Sequence, residues 1–336
     1  MRAVTAAAPS QEEVIAFLSG LHGAPVTDLE PLAPGVWSSA HAYRLAGREL
    51  VLRLGTVPEG FEMDRAAMAF DRTDLPVPEV LDVGEGLGCA YAISARHHGR
   101  FLETVTPDDA DVAGATLVRI LAALRTVGVV AGAPSAWYPS GISPEDSTWR
   151  GWLLDGLVDD PQGRVSGWRA TLAAQPELDA LFVATELRIS QLLDGCPERR
   201  DLVHGDLLNR NVLIAEDASR TTAVYSWKCS VRGDFLFDVA WCTFWSPWHP
   251  GIEAVDLWPR VFDDRSLADG DLTDAAVRHH CYELQIGASH LGWNAWCGND
   301  EDLRAVAAHT AAVLERGPLD LPRRRAMSAG SRRRPR

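Results

Sequence analysis

Apolar residues recur along this chain in two rhythms, and the change of rhythm divides it. Near the start, Val14, Ile15, Phe17 and Leu18 fall at helical spacing behind Ser10, which predicts a helix over 11–21 capped by that serine. Residues 28–56 read as short strand-like runs, 61–71 as a helix and 89–94 as a buried strand. Beyond them helical periodicity takes over. Residues 110–127 place Leu117, Ile120, Leu121 and Leu124 on one face, and 178–193 reads as a second strong helix. Between these two helices, 134–146 is rich in Pro, Ser and Gly and reads as a surface connection. Two later apolar runs, Leu202-Val203 and Val212-Leu213-Ile214, suit short buried strands flanking a polar turn.

That turn carries the chain's strongest chemical signal, His204-Gly205-Asp206-Leu207-Leu208-Asn209-Arg210-Asn211. Phosphoryl transfer to a hydroxyl needs a carboxylate to accept the hydroxyl proton. It also needs an amide oxygen close by to help hold the nucleotide's metal. An isolated His-x-Asp is weak. With Asn five residues after the Asp and an apolar strand following, the pattern is specific.

With these residues in view, the chain resembles the aminoglycoside phosphotransferases, the antibiotic-kinase branch of the protein-kinase-like superfamily. It is most similar to the hygromycin B phosphotransferases. The resemblance runs over roughly residues 10–320. It includes Val51-Leu52-Arg53-Leu54, the segment from Leu75 to Gly84, the His-Gly-Asp turn and the segment from Gly233 to Ala240. It implies an α/β (α+β), protein-kinase-like fold of two lobes. The small sheet-rich nucleotide lobe is expected over 1–95. A hinge near 95–99 and a larger helical lobe for catalysis and acceptor binding are expected over 96–320. It also implies roles. Asp206 falls on the catalytic base and Asn211 on the metal-binding asparagine. Arg53 falls where relatives hold the α- and β-phosphates, and Asp64 is the best match among Glu62, Asp64 and Asp71 for its acidic partner. Ser38, in the 34–41 loop, falls on the turn covering the nucleotide, and Ser94 and Arg96 lie at the adenine-reading hinge. The implied cofactors are ATP, or another nucleoside triphosphate, with Mg²⁺.

The pattern breaks at the second strand of the site. Where the family places a metal-binding Asp, this chain has Ser226, within Tyr225-Ser226-Trp227-Lys228. A neutral hydroxyl is a poor ligand for Mg²⁺, which prefers hard anionic oxygens. Two residues on stands the chain's single lysine, Lys228, among 32 basic side chains that are otherwise arginine. On an extended segment, residues two apart share a face, so Lys228 is expected to point where Ser226 points. A compact ammonium there could replace part of the metal's charge, bind an anionic ligand, or act as a catalytic amine. Two classes of function stay open: an O-phosphotransferase with an altered metal site, and a kinase-fold binding protein or repurposed enzyme using Lys228.

Six of twelve tryptophans, Trp241, Trp245, Trp248, Trp258, Trp293 and Trp296, follow this strand. The first three recur at spacings of four and three, so one helix face is expected to present them as a ligand wall. Trp241 and Trp245 are the candidate acceptor contacts. Glu283 joins them from a set of acidic candidates that also holds Glu253, Asp256, Asp263, Asp264 and Asp300. The net charge of −14 argues against nucleic acid as a partner of the folded body and suits a small cationic acceptor. The Arg-rich stretch of 321–336 reads as a solvated, disordered tail. Six scattered cysteines without a CxxC pair, no signal-like N-terminus and no apolar run of about 18 residues favour a cytoplasmic protein, expected to be monomeric, with no membrane partner.

Overall fold

Ser10 starts the first helix as its sequence implies. Glu13 N donates to Ser10 Oγ at 3.2 Å and Ser10 N donates to the Glu13 carboxylate at 2.7 Å, the reciprocal capping that opens α1 (Gln11–His22). The structure, a computed structural model, describes residues 9–32, 38–128, 148–268 and 271–322. Residues 34–37 of the 34–41 loop, the 134–146 connection and the arginine clusters of the tail lie outside the described residues.

A five-stranded antiparallel sheet follows: β1 (Thr27–Pro31), β2 (Ser38–Leu45), β3 (Arg48–Gly55), β4 (Val80–Gly86) and β5 (Cys89–Ala95), in the order β1-β2-β3-β5-β4. Between β3 and β4 runs α2 (Pro58–Ala67). It starts three residues earlier than the apolar periodicity implies, because Pro58 has its φ preset for a first helical position. Side chains alternate across the strands. Tyr91 and Ile93 pack with Leu52 and Leu54 against Val14 and Leu18 of α1, while Ala90 and Ala92 meet Phe61 of α2 on the opposite face. The helix-side face therefore keeps Arg53 beside α2.

Residues 96–99 leave this sheet. β6 (Arg100–Phe101) pairs instead with β8 (Val212–Ile214), which pairs with β9 (Thr221–Val224), while β7 (Asp201–Val203) pairs with β10 (Val231–Gly233). The remaining chain is helical: α3 (Ala110–Thr126), α4 (Trp149–Asp155), α5 (Trp168–Ala173), α6 (Pro176–Leu192), α7 (Leu236–Trp245), α8 (Pro250–Val255), α9 (Leu257–Asp263), α10 (Arg265–Ala268), α11 (Ala275–Cys297) and α12 (Asp300–Arg316). One core joins these helices to the short strands, with Leu202, Val203, Val212 and Ile214 wholly buried. The expected helices at 110–127 and 178–193 are α3 and α6, each within two residues at either end.

One buried ion pair ties the start of α7 to α11. Arg278 Nε and Nη2 donate to the two Asp234 oxygens at 2.8 Å each, and Tyr282 Oη adds a third bond at 2.7 Å. Trp149 Nε1 donates in turn to Tyr282 Oη at 3.0 Å. Both charges are wholly buried, so removing either partner strands the other. Gly233 is required next to this group, since a Cβ there would stand 2.2 Å from the Trp149 ring. The six cysteines are free thiols, and among the described residues no helix is long and apolar enough to cross a membrane.

Candidate active site

The turn between β7 and β8 is built around the Asp206 carboxylate. Asn209 Nδ2 donates to Asp206 Oδ1 at 2.8 Å and Asn211 Nδ2 to Asp206 Oδ2 at 2.8 Å. Burial pushes the Asp206 carboxyl up to about 7, against these two amides, with the Glu103 and Asp238 charges adding to the rise. A carboxyl poised near neutrality suits general-base work. Asn211 also spends its amide nitrogen on the Asp206 carbonyl at 2.7 Å, which leaves its oxygen available. His204 is structural: its Nε2–H donates to the Tyr225 carbonyl at 2.8 Å, while Nδ1 accepts from Asp206 N at 3.2 Å. Burial lowers its pKa to about 4, so the ring stays neutral and this tautomer holds.

Asp238, at the start of α7, fastens this turn. His204 N donates to its Oδ2 and Gly205 N to its Oδ1, both at 2.8 Å. Gly205 has φ of 73°, and a Cβ there would meet the Cys229 carbonyl at 2.7 Å, so only glycine fits. Neither the role of Asp238 nor that of Glu103, which accepts from Arg210 N, was legible in advance. Asp238 left a faint signal, a carboxylate within the apolar run Leu236-Phe237-Asp238-Val239-Ala240, which implies a buried and partnered charge. Glu103 left none, being 107 residues distant from its partner.

Asp64 of α2 joins the two lobes. Its Oδ2 pairs with Arg53 Nη2 at 2.6 Å and its Oδ1 accepts from Trp227 N at 2.7 Å. The Arg53–Asp64 pair expected from the sequence is thus formed, inside a recess also lined by Val80, Ser94 and Tyr225. Ser94 is buried on β5 and Ser38 opens β2 opposite Gly55. Arg96 pairs with Glu30 at 2.6 Å, and its charge and that of Arg53 both act on the Tyr225 phenol, whose pKa burial raises.

The expected shared face of Ser226 and Lys228 is not there. Ser226 is left-handed, with φ of 62° and ψ of 57°, and Trp227–Cys229 is a 3-10 turn. The extended geometry that would align residues two apart ends at β9. Lys228 instead lays its stem along α2, where a Cβ on Gly60 would stand 3.5 Å from Lys228 Cδ. Burial lowers its pKa, with the Cys229, Arg164 and Glu59 charges as neighbours. At the metal position the residues offer the Asn211 amide oxygen and the Ser226 hydroxyl, without the carboxylate oxygen that Mg²⁺ prefers.

Asp238, Trp241 and Trp245 occupy positions i, i+3 and i+7 of α7, one face leading away from the Asp206 turn. The two indoles are 6.0 Å apart, and both flank His290 of α11 at 5.3 and 4.8 Å. Their N–H groups are buried and have no partner among the described residues. Trp248 does not share the helix face: Pro247 follows the helix end, and a 3-10 turn brings Trp248 to 5.2 Å from Trp245. Glu283 is a further correction. It is 1 % exposed, and its oxygens are taken by Thr243 at 3.2 Å, by His279 at 3.4 Å and by Arg316. Burial acts to raise its pKa, yet His279 and Arg316 hold it at about 2. That carboxylate braces α7, α11 and α12 and is not presented to an acceptor.

A sheet lobe whose Arg-paired Asp64 accepts from Trp227 N of a helical lobe, with Asp and Asn on a His-Gly-Asp turn, defines a kinase-fold phosphotransferase site. Residues 28–268 match the model of the phosphotransferase enzyme family APH, and the chain belongs to that family. It is 29 % identical over 303 residues to the hygromycin-B 4-O-kinase of Escherichia coli, covering 87 % of this chain and 82 % of that protein. Its fold matches a thermostable mutant of aminoglycoside phosphotransferase APH(4)-Ia in ternary complex with AMP-PNP and hygromycin B. The TM-score is 0.73 at 27 % identity, over 90 % of this chain and 98 % of that one. Spectinomycin phosphotransferase APH(9)-Ia, at 12 % identity over 92 % of this chain and 98 % of that one, shares the fold with a TM-score of 0.58.

Proposed function

We propose that the protein transfers the γ-phosphoryl group of ATP to a hydroxyl of an aminoglycoside of the hygromycin type. The observation that carries this is the Asp206 carboxylate, fixed by Asn209 and Asn211 and poised near neutrality. In this reading Asp206 accepts the acceptor's hydroxyl proton as the new oxygen–phosphorus bond forms. The bond from the γ-phosphorus to the β,γ-bridging oxygen breaks, and ADP leaves. Arg53, held by Asp64, meets the nucleotide's phosphates, and Ser94 and Arg96 flank its base. Trp241 and Trp245 supply apolar sugar-facing surface and two indole donors for acceptor oxygens. The similarity to hygromycin-phosphorylating relatives supports the choice of acceptor. Asp206→Asn tests the reading: turnover should fall by orders of magnitude with nucleotide affinity nearly unchanged, because the base acts in the transition state. Full turnover by that variant removes Asp206 from the chemistry.

A second reading is favoured by Ser226, which leaves the metal position without its carboxylate. Here the fold binds a small molecule without phosphotransfer, or Lys228 serves another chemistry with its lowered pKa. Calorimetric titration with ATP, with and without Mg²⁺, separates the two. Metal-dependent nucleotide binding belongs to the first, and no nucleotide binding to the second.

A further inference from the structure

Two consecutive residues between Asp206 and Asn211 adopt a backbone conformation that side chains disfavour. Asn209 has φ of 66° and Arg210 φ of 64°, both left-handed and neither glycine. Such a pair persists only where its surroundings fix it. Asn209 is fixed from inside the turn, by its bond to Asp206 Oδ1 at 2.8 Å. Arg210 is fixed from outside, because its backbone N–H donates to Glu103 Oε1. Glu103 reaches this point through strand pairing: Phe101 stands opposite Leu213 in the β6–β8 ladder, and the 3-10 turn at 102–104 follows at once. The second Glu103 oxygen is buried and has no partner among the described residues, so the whole carboxylate is turned into the loop rather than to solvent. Beyond Arg210, Tyr225 N donates to the Asn211 carbonyl at 2.8 Å and closes the turn onto the end of β9.

We infer that Glu103 is a positioning residue for phosphotransfer, locking the left-handed Asn209–Arg210 turn that sets Asn211 against Asp206. This rests on the phosphotransferase reading above. Without the acceptor at Arg210 N, the turn relaxes toward ordinary dihedrals, and Asn211 moves relative to the base. A displacement of about 1 Å in such a site costs on the order of 100-fold in rate. Locking the turn needs an oxygen acceptor, so an amide oxygen at the same place should serve; the Glu103 charge, which also raises the Asp206 pKa, is lost equally in alanine and glutamine variants.

The test compares Glu103→Ala and Glu103→Gln with the parent full-length protein, using ATP and hygromycin B. The alanine variant should lose about 10- to 100-fold in kcat, with nucleotide affinity by calorimetry changed less than about threefold. Glu103→Gln should recover most of that rate. Amide hydrogen exchange at Arg210, measured by NMR without ligand, should quicken about tenfold or more in the alanine variant and stay slow in the glutamine variant. An alanine variant equal to the parent in both kcat and Arg210 exchange overturns the inference. So does a glutamine variant as impaired as alanine. A parent that phosphorylates nothing overturns the activity itself, an outcome distinct from a parent and an alanine variant that work equally well.

Discussion

Asp238→Ala is the perturbation whose cost follows most directly from the geometry of the catalytic turn. The Asp238 carboxylate is 1 % exposed and accepts from His204 N and Gly205 N at 2.8 Å each. Two hydrogen bonds to a charged acceptor are together worth roughly 3–6 kcal/mol. Burial outweighs those bonds and lifts the carboxyl to about 7, so at pH 7 the group holds both amides while only part-ionised. Alanine strands the two buried amides at about 1–3 kcal/mol each, a penalty that replaces the bond energies rather than adding to them. The net expectation is a loss of about 2–6 kcal/mol of unfolding free energy, at the strongly destabilising end for one substitution. Urea unfolding at pH 7 measures it as a lower midpoint with an unchanged slope. Asp238→Asn should recover only part of the loss, because its NH₂ must face one of the two N–H donors. An alanine variant within about 0.5 kcal/mol of the parent would refute the clamp, since it would mean the two amides find other partners.

Three further outcomes follow from other parts of the site. Asp206 must be ionised to take a proton, and its pKa is raised to about 7, so kcat/KM should fall as pH drops below about 7; a rate still undiminished at pH 5 contradicts this. Glu283 has its pKa depressed to about 2, so its contribution is complete above its unfolded value near 4.5 and is lost as pH falls toward 2. That contribution is about 3 kcal/mol, and Glu283→Gln should flatten the acid side of a stability–pH curve, where an unaltered curve removes the network from the account. Ser226→Asp should raise Mg²⁺-dependent nucleotide affinity in calorimetry, while Lys228→Ala, on a side chain laid along Gly60, should keep turnover within about threefold of the parent; the reverse pair of results returns Lys228 to the chemistry.

The sequence made visible those features whose signal is local. Ser10 and Glu13 announce a capped helix, and Asp206 with Asn211 announces a phosphotransfer turn, because each pair sits within one turn of chain. Asp64 is matched to Arg53 by the family resemblance, on the helix that follows the Arg53 strand. Backbone exceptions stayed hidden. Nothing in a serine's chemistry declares φ of 62°, and that single torsion at Ser226 turns Lys228 away from the face an extended strand would give it. An isolated glutamate in sequence looks like a surface charge, and nothing beside Glu283 shows that it is buried. Its partners Thr243 and Arg316 lie 40 and 33 residues away, on helices whose packing only the fold supplies. The aromatic stripe was half legible: Trp241 and Trp245 share a face of α7, and the helix ends before Trp248.

The account stands most directly on one reaction. The purified protein, incubated with ATP, Mg²⁺ and hygromycin B, should yield ADP and an antibiotic heavier by one phosphate, with phosphorus NMR placing that phosphate on a single hydroxyl. Asp206→Asn, correctly folded and still binding nucleotide, should yield neither product at a measurable rate. Hygromycin B recovered unmodified from the parent protein, with ATP left intact, would contradict the phosphotransferase reading and leave the ligand-binding one.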